Sequence, residues 1–241
     1  MRKFGLIGYP LSHSFSKKYF TDIFLQEGID AEYENYPLED ISLIKTLFED
    51  SRLEGINVTI PYKEAVIPYL DELSDAVQQI GACNCIRIEN GKRTGFNTDV
   101  LGFERSLEKK LEPHHTKALV LGTGGAAKAV LYVLHHLSVT SLQVSRTPNG
   151  NSISYDDITD RMMNEYTLVV NTTPLGMYPN VDQYPKLPYH AMGEQHYLYD
   201  LVYNPAKTLF LQKGEERGAA IENGHDMLII QADESRKIWM V

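Results

Sequence analysis

The segment that most constrains this chain is the glycine-rich stretch from Leu119 to Ala129, LVLGTGGAAKA. The apolar run at its start predicts a buried strand of a parallel sheet, and the small residues after it open a helix. Gly122, Gly124 and Gly125 allow a tight turn and a close approach to a pyrophosphate, which the N-terminal end of the helix stabilises. The spacing departs from the plain G-x-G-x-x-G pattern. The motif alone therefore leaves both a nucleotide site and a purely structural turn open.

Composition and charge narrow the classes of partner. The 241 residues suit one large or two modest domains, with 43% hydrophobic and 23% charged residues. A net charge of −9 and the lack of a basic run disfavour nucleic-acid binding. No apolar run reaches the length of a membrane span, and the first residues turn polar too soon for a signal peptide. We therefore expect a cytoplasmic monomer or homodimer that binds a small molecule.

The two cysteines, Cys83 and Cys85, lie one residue apart in GACNC. A structural zinc site needs four ligands, and no cluster of Cys or His at ligand spacing accompanies this pair. A disulfide across so short a loop would be strained. We expect no metal and interpret both residues as buried or half-buried thiols.

The first half of the chain alternates strands and helices, which predicts a mostly parallel sheet. A strand over residues 3–8 leads through a serine-rich loop into a helix, and a strand over residues 55–60 ends at Pro61, after which we expect a further helix. Ligands bind beyond the carboxyl ends of such strands, where Ser14, Ser16, Thr59 and Lys63 would lie. A serine here can also be a helix cap, and a lone lysine is usually a solvated surface residue.

The second half repeats the alternation after a hairpin that delivers Asp99 to the start of a helix. Asp99 can be a site carboxylate or merely an acidic residue favoured by the helix dipole. The second strand after the glycine turn ends at Arg146, where an arginine accommodates the 2′-phosphate of NADP and an acidic residue would favour NAD. Further on, Pro205 suits the first turn of a helix that ends near Gly218.

Nine segments in this order resemble the shikimate dehydrogenases over nearly the whole chain. They are GYPLSHSFS, GINVTIPYK, GACNC, GFNTD, LGTGGAAKA, SRT, NTTPLGM, DLVYNP and NGHDMLIIQA. The resemblance implies reversible, NADPH-dependent reduction of 3-dehydroshikimate to shikimate in the pathway of aromatic amino-acid biosynthesis. It implies an α/β fold with a substrate domain at residues 1–100, a Rossmann-type NADP-binding domain at residues 101–224, and a cleft between them. The terminal helix, residues 225–241, is expected to pack back on the first domain.

The resemblance also implies a role for each matching residue. Lys63 and Asp99 are expected to form the catalytic pair. The expected substrate-binding residues are Ser14, Ser16, Thr59, Asn84, Tyr203 and Gln231. The expected cofactor-binding residues are Gly122, Gly124, Gly125, Ala126, Ser145, Arg146, Thr147, Thr172, Gly224 and Met227.

Three positions depart from the family pattern: Lys17 stands where a proline is usual, Cys85 where a threonine is usual, and Ser145 where an asparagine is usual. The chain is also short between Arg146 and Asn171, so we expect the cofactor domain to lack a helix there. Two other functions stay open. One is a quinate/shikimate dehydrogenase that uses NAD, and the other is a non-catalytic, ligand-sensing member of the fold.

Overall fold

The computed structural model describes residues 1–11 and 15–240. The described residues group into two compact units. The first unit comprises residues 1–98 and 232–241, and the second comprises residues 99–231. That residues 1–100 and 101–224 are separate functional domains stays a prediction.

The first unit is built on a six-stranded mixed sheet in the order β2-β1-β3-β5-β6-β4. Strands β1, β2 and β3 are parallel, β5 and β6 form an antiparallel hairpin, and β4 pairs with β6 in parallel. The strands are β1 (Arg2–Gly8), β2 (Ala31–Pro37), β3 (Leu53–Val58), β4 (Glu72–Leu73), β5 (Cys85–Glu89) and β6 (Lys92–Phe96). The helices are α1 (Phe15–Gln26), α2 (Ile44–Leu47) and α3 (Asp75–Ile80).

Two hydrophobic clusters cover the two faces of this sheet. Side chains alternate along a strand, so Ile56 and Val58 of β3 pack in one cluster, while Phe4 and Leu6 of β1 pack in the other. The central strands are thus buried on both faces, as parallel strands usually are. The carboxyl ends of β1 and β3 remain adjacent at one edge of the sheet.

The last turns of the terminal helix complete the core of the first unit. Trp239 is buried against Phe4 and Phe20, and its Nε1 donates a hydrogen bond to the Ile86 carbonyl at 3.0 Å. The indole fits because strand β3 carries a glycine beneath it. A Cβ on Gly55 would lie 2.4 Å from Trp239 Nε1.

The second unit is a six-stranded, all-parallel sheet in the order β9-β8-β7-β10-β11-β12. This is the strand order of the doubly wound dinucleotide-binding fold. Its strands are β7 (Lys117–Leu121), β8 (Thr140–Val144), β9 (Ser152–Ile153), β10 (Leu168–Asn171), β11 (Tyr197–Asp200) and β12 (Ala220–Asn223). Its helices are α4 (Asp99–Leu107), α5 (Gly125–His136), α6 (Asp160–Glu165) and α7 (Leu209–Glu215), and α8 (His225–Trp239) begins in it.

Three local expectations can be compared with the structure. The helix expected after Pro61 is wrong, because turns and a short 3₁₀ segment at Ile67–Tyr69 occupy that stretch. The helix expected from Pro205 begins later, at Leu209, because Thr208 supplies the capping hydroxyl. The expectation that no helix lies between Arg146 and Asn171 is wrong, because α6 (Asp160–Glu165) forms there after Thr159 caps its first turn.

The mixed α/β class with a dinucleotide-type second sheet is confirmed. Within residues 1–11 and 15–240, no helix combines the length and the hydropathy that crossing a bilayer requires. In the same part of the chain, no group of three or more His, Cys, Asp or Glu side chains is arranged to hold a metal ion.

Replacing Gly55 with alanine tests how the terminal helix is anchored. The added methyl group overlaps the Trp239 indole, so Gly55→Ala should lower the free energy of unfolding by about 1 to 3 kcal/mol in urea titrations. Gly150→Ala is the matched control, because a Cβ there meets no atom within 4 Å. Equal stability of the two variants would contradict the anchoring role of Trp239.

Candidate active site

The glycine turn lies where the strand order of the second sheet changes direction, between β7 and β10. Gly122 has a φ of +114°, and a Cβ on it would lie 2.5 Å from Thr172 Oγ1. Thr172, directly after β10, donates through Oγ1 to the Leu121 carbonyl at 2.7 Å. A side chain at position 122 is therefore excluded by both the backbone angle and the neighbouring threonine.

The helix after this turn has an N-terminal end that suits an anion. Gly124 is the N-cap of the twelve-residue helix α5, has an extended backbone and provides no side-chain hydrogen bond to the helix. A Cβ on Gly124 would meet no atom within 4 Å, so open space lies beside the cap. The first-turn amides, those of Gly125 and Ala126 among them, carry the positive end of the helix dipole. These features fit the pyrophosphate of a dinucleotide.

The SRT segment follows β8 as a short, internally bonded turn. Ser145 Oγ accepts from the Thr147 amide at 3.2 Å and lies 3.2 Å from the Thr147 carbonyl, to which it donates. Arg146, between them, is exposed, and its charge opposes the rise in pKa that burial gives the Tyr155 phenol. The serine that replaces the family's asparagine thus holds the turn, and Arg146 is left facing outward, as a 2′-phosphate ligand must be.

The two remaining predicted cofactor residues lie at the start of α8 and differ in environment. Gly224 approaches the chain after β11 so closely that a Cβ on it would lie 2.1 Å from the Leu201 carbonyl oxygen. Met227 is buried in the hydrophobic cluster that contains Phe103. The structure thus gives Met227 a packing role, and its contact with the cofactor stays a prediction.

The first unit gathers several predicted substrate residues at the carboxyl ends of β1 and β3. The Thr59 amide donates to the Ile7 carbonyl at 2.9 Å, which places Thr59 directly beside the end of β1. Ser16 is the second residue of α1, the helix that follows β1. Its hydroxyl opposes the rise in pKa that burial gives the Tyr33 phenol. Ser14 lies outside the described residues.

Lys63 is half-buried and lies in a turn that is held by hydrogen bonds of Tyr62 and of the Lys63 carbonyl. Its neighbour Tyr62 is buried and donates its hydroxyl hydrogen bond to the Leu38 carbonyl at 2.5 Å. The Lys63 carbonyl accepts from the Cys83 amide at 2.7 Å, which ties this turn to the GACNC segment. One residue further on, Asn84 is only 3% exposed.

Asn84 and Thr98 form a closed pair of hydrogen bonds. The Thr98 amide donates to Asn84 Oδ1 at 2.6 Å, and Asn84 Nδ2 donates to Thr98 Oγ1 at 3.0 Å. Because the Asn84 Nδ2 group carries two hydrogens, this pairing uses one of them. The pair also fixes the backbone immediately before Asp99.

In the second unit, Asp99 is the first residue of α4 and is only 6% exposed. A carboxylate that is present only because the helix dipole stabilises it would be exposed to solvent. The burial of Asp99 therefore favours a role in the active site. Gln231 is half-buried on α8 and donates through Nε2 to the Leu228 carbonyl at 3.1 Å. Tyr203 is 40% exposed in the loop after β11, and partial burial raises the pKa of its phenol.

Comparisons with known proteins agree with this architecture. A family model described as the shikimate dehydrogenase substrate binding domain matches residues 6–86. The shikimate dehydrogenase (NADP(+)) of Caldicellulosiruptor saccharolyticus is 37% identical, with 99% of this chain and 92% of the relative covered. The chain belongs to the shikimate dehydrogenase family.

Solved structures of similar proteins extend the comparison. Shikimate 5-dehydrogenase from Thermus thermophilus, in complex with NADP(H) and shikimate, has a TM-score of 0.88 and 30% identity, with 99% of this chain and 93% of that one covered. Quinate dehydrogenase from Corynebacterium glutamicum, in complex with NAD, has a TM-score of 0.88 and 25% identity, with 99% and 93% covered. These matches and the curated relatives confirm the expected family, the fold class and an NADP-dependent shikimate dehydrogenase function. Since both neighbours share the fold equally, cofactor choice depends on individual residues.

The departure from the shikimate dehydrogenase pattern at Cys85 is explained by packing. Cys85 is fully buried in the cluster that contains Trp239, and burial raises the pKa of its thiol well above its usual range. The Ser235 hydroxyl opposes this rise in the pKa of the thiol. This position therefore faces the core of the first unit.

Sequence reasoning missed two buried polar networks in this shikimate dehydrogenase. One joins Tyr33, Asn57 and Ser235 in the first unit, and the other joins Asn171 to Asp200 in the second. The only signal was that Asn57, Asn171 and Asp200 stand inside three of the matching segments. Nothing in the sequence separated them from the ligand-binding residues beside them.

The pKa of Asp200 gives a test of the second network. Burial raises this pKa from 3.8 to about 7, against the opposing hydrogen bonds of Thr208, the Val202 amide and Asn171. Between pH 3.8 and pH about 7, Asp200 keeps its proton in the folded protein and loses it in the unfolded chain. The contribution of Asp200 to the free energy of unfolding therefore falls as the pH rises through this range. Asp200→Asn removes this dependence.

The free energies of unfolding of parent and Asp200→Asn should be compared by urea titration at pH about 5 and about 7. The parent should lose about 1.4 kcal/mol per pH unit relative to the variant. Buried His115 and His196, whose pKa values burial lowers, act in the opposite direction but equally in both proteins. A difference that stays constant with pH would contradict the raised pKa of Asp200.

Proposed function

We propose that this chain catalyses the reversible, NADPH-dependent reduction of 3-dehydroshikimate to shikimate. The observation that carries the proposal is the presence of two complementary sets of groups in one chain. The second sheet presents a nucleotide-type glycine turn at its change of strand direction, and the first sheet presents hydroxyl, amide and lysine side chains at the carboxyl ends of β1 and β3. A ketone reductase needs both sets.

The cofactor-side residues fit a bound dinucleotide. Gly122, Gly124, Gly125 and Ala126 would hold the pyrophosphate with backbone amides at the start of α5. Thr172 would support the same turn through its hydrogen bond to the Leu121 carbonyl. Gly224, which has no side chain, would let the backbone at the start of α8 approach the dinucleotide closely. When bound, NADPH supplies the hydride.

On the substrate side, Lys63 as an ammonium would polarise the ketone and donate the proton to its oxygen. Asp99 would accept a hydrogen bond from a substrate hydroxyl and orient Lys63. Ser14 and Ser16 would receive the substrate carboxylate. Thr59, Asn84, Tyr203 and Gln231 would hold the ring hydroxyls.

Arg146 supports NADP over NAD as the cofactor. It is exposed directly after β8, where its guanidinium and the Thr147 hydroxyl can bind a 2′-phosphate, while NAD enzymes usually place a carboxylate there. The NAD-dependent quinate/shikimate dehydrogenase is therefore the less favoured alternative. A non-catalytic ligand-sensing protein is less favoured again, because Lys63 and Asp99 are both retained.

The proposal keeps the cytoplasm as the compartment and a monomer or homodimer as the working form. Both cysteines, Cys83 and Cys85, are buried and are not joined in a disulfide, which suits a reducing compartment.

Replacing the two central residues tests the proposed chemistry. Lys63→Met removes the proton donor but keeps the length of the side chain, and should lower kcat by about 10² to 10⁴ with a smaller effect on substrate binding. Asp99→Asn should also lower kcat, and the double variant should be little worse than the poorer single variant, since the two groups act together. Steady-state kinetics of the three variants measure this. A Lys63→Met enzyme whose kcat stays within about threefold of the parent would exclude the mechanism.

Replacing Arg146 tests the cofactor assignment. Arg146→Ala should remove charge-assisted hydrogen bonds to the 2′-phosphate and weaken NADPH binding by roughly 1.5 to 3 kcal/mol, about tenfold or more. Binding of NADH, which lacks that phosphate, serves as the internal control and should hardly change. An equal loss for both cofactors would make Arg146 structural and remove this support for NADP.

A further inference from the structure

Two of the matching segments, NTTPLGM and DLVYNP, begin with buried polar residues to which the proposed function gives no role. Asn171 ends β10 and Asp200 ends β11, and the two residues are direct partners in the parallel ladder. Both are fully buried. Asn171 Nδ2 donates to Asp200 Oδ1 at 2.9 Å, so the ends of the two strands are joined through side chains as well as backbone.

The Asp200 carboxylate extends this connection to two further elements. Its Oδ1 also accepts from the Val202 amide at 3.0 Å, and its Oδ2 accepts from Thr208 Oγ1 at 2.6 Å. Thr208 is the N-cap of α7 and accepts from the Leu211 amide at 3.4 Å. One carboxylate therefore connects the end of β10, the loop after β11 and the first turn of α7.

On one side, the network reaches the backbone around Thr172. Asn171 Oδ1 accepts from the Thr173 amide at 3.1 Å and from Thr173 Oγ1 at 2.7 Å. These bonds fix the residues on both sides of Thr172, whose own hydroxyl supports the glycine turn. The same loop then passes over Thr208 at Gly176, where φ is +88° and a Cβ would lie 3.2 Å from Thr208 Cβ.

On the other side, the network reaches Tyr203. The Val202 amide, bonded to Asp200, directly precedes Tyr203, and the Val202 carbonyl accepts from the Gly224 amide at 3.3 Å. Immediately after Tyr203, the Asn204 carbonyl accepts from the Tyr178 amide at 3.2 Å. Tyr203 is thus held between two residues whose backbone groups are both fixed.

In its ionised form, which prevails above pH about 7, the Asp200 carboxylate suits this position because it accepts several hydrogen bonds and has no donor of its own. An asparagine would turn a donor toward either Thr208 or the pair formed by Asn171 and the Val202 amide. The buried Asp200 carboxylate accepts from three donors on different segments, and leaving any of these donors unpaired would cost free energy. The carboxylate therefore restricts the conformations of all three segments together.

We propose that Asp200 is a positioning residue of this enzyme, which through Asn171 and Thr208 sets the two loops that carry Thr172 and Tyr203. The inference rests on the proposed function, because it assumes that Thr172 and Tyr203 meet cofactor and substrate. In this proposal, Asp200 itself contacts neither the cofactor nor the substrate. It acts through the geometry of those two loops.

Four variants separate positioning from stability. Thr208→Val removes the hydroxyl that donates to Asp200, and Asp200→Asn replaces one of the two acceptor oxygens with a donor. Thr208→Ser keeps the hydroxyl. His196→Gln is the matched control, because His196 is equally buried, is hydrogen-bonded, and lies at the opposite end of β11. Melting temperatures and kcat/KM for 3-dehydroshikimate with NADPH are measured for all four, well below the lowest melting temperature.

The proposal predicts that Asp200→Asn and Thr208→Val lower kcat/KM by about 5- to 30-fold, the range expected for loss of a buried hydrogen bond that positions a ligand group. Thr208→Ser should stay within about threefold of the parent, and His196→Gln should keep its kcat/KM despite a comparable loss of melting temperature. Equal kinetic losses for His196→Gln and Thr208→Val at matched stability would overturn the proposal, as would parent-like kinetics of both network variants.

A double-mutant cycle shows whether the network acts through Tyr203. If it does, Tyr203→Phe combined with Thr208→Val should be little worse than the poorer single variant. Additive losses would contradict action through Tyr203. The parent enzyme separates this inference from the proposed function: a parent that does not turn over 3-dehydroshikimate refutes the proposed function, whereas an active parent with unaffected network variants refutes only the role of Asp200.

Discussion

The constraint on which the structure depends is the connectivity of parallel strands. Each crossover returns the chain to the same edge of the sheet, so the carboxyl ends of the strands collect there. Where the strand order changes direction, the loops after two neighbouring strands diverge and leave room for a ligand. In the first unit the strand order changes direction between β1 and β3, and Thr59 lies beside the end of β1. In the second unit it changes direction between β7 and β10, and Thr172 lies beside Gly122. The candidate site residues follow from this topology.

Topology brings the loops to the edge, and buried hydrogen bonds fix their conformation. In the first unit Tyr33 donates to Asn57 at 2.9 Å, and Asn57 donates to Ser235 at 2.9 Å and to the Asn84 carbonyl at 3.3 Å. The second unit uses the carboxylate of Asp200 for the same purpose. Each such bond adds only about 1 kcal/mol net, but leaving a buried donor or acceptor unpaired costs more. The networks thus specify loop geometry more strongly than their contribution to stability suggests.

Local patterns were sufficient to predict most of the fold. Apolar runs located the central strands, and the glycine turn located the start of α5, because period and glycine content are local properties of the sequence. The helices expected after Pro61 and from Pro205 were misplaced. At Pro61 the chain is held by the tertiary bond between Lys63 and Cys83, and at Pro205 the cap is Thr208, which a proline rule overlooks.

The residues of the candidate site were predictable only in part, because short sequence segments do not show which polar side chains are buried. Ligand-binding residues and the residues that hold them stand in the same short segments, so the sequence alone does not distinguish Asn84 from Asn57 or Tyr203 from Asp200. Burial and partners make the distinction. Asp200 is fully enclosed with three donors, whereas Tyr203 is 40% exposed in the adjacent loop.

Turnover of the purified protein shows whether this chain is an NADP-dependent shikimate dehydrogenase. The absorbance of NADPH should be followed with 3-dehydroshikimate, and the reverse reaction with NADP⁺ and either shikimate or quinate. We expect oxidation of NADPH by 3-dehydroshikimate, reduction of NADP⁺ by shikimate well above that by quinate, and a clear preference for NADP⁺ over NAD⁺. No turnover with either cofactor, or faster turnover of quinate with NAD⁺, would contradict this function.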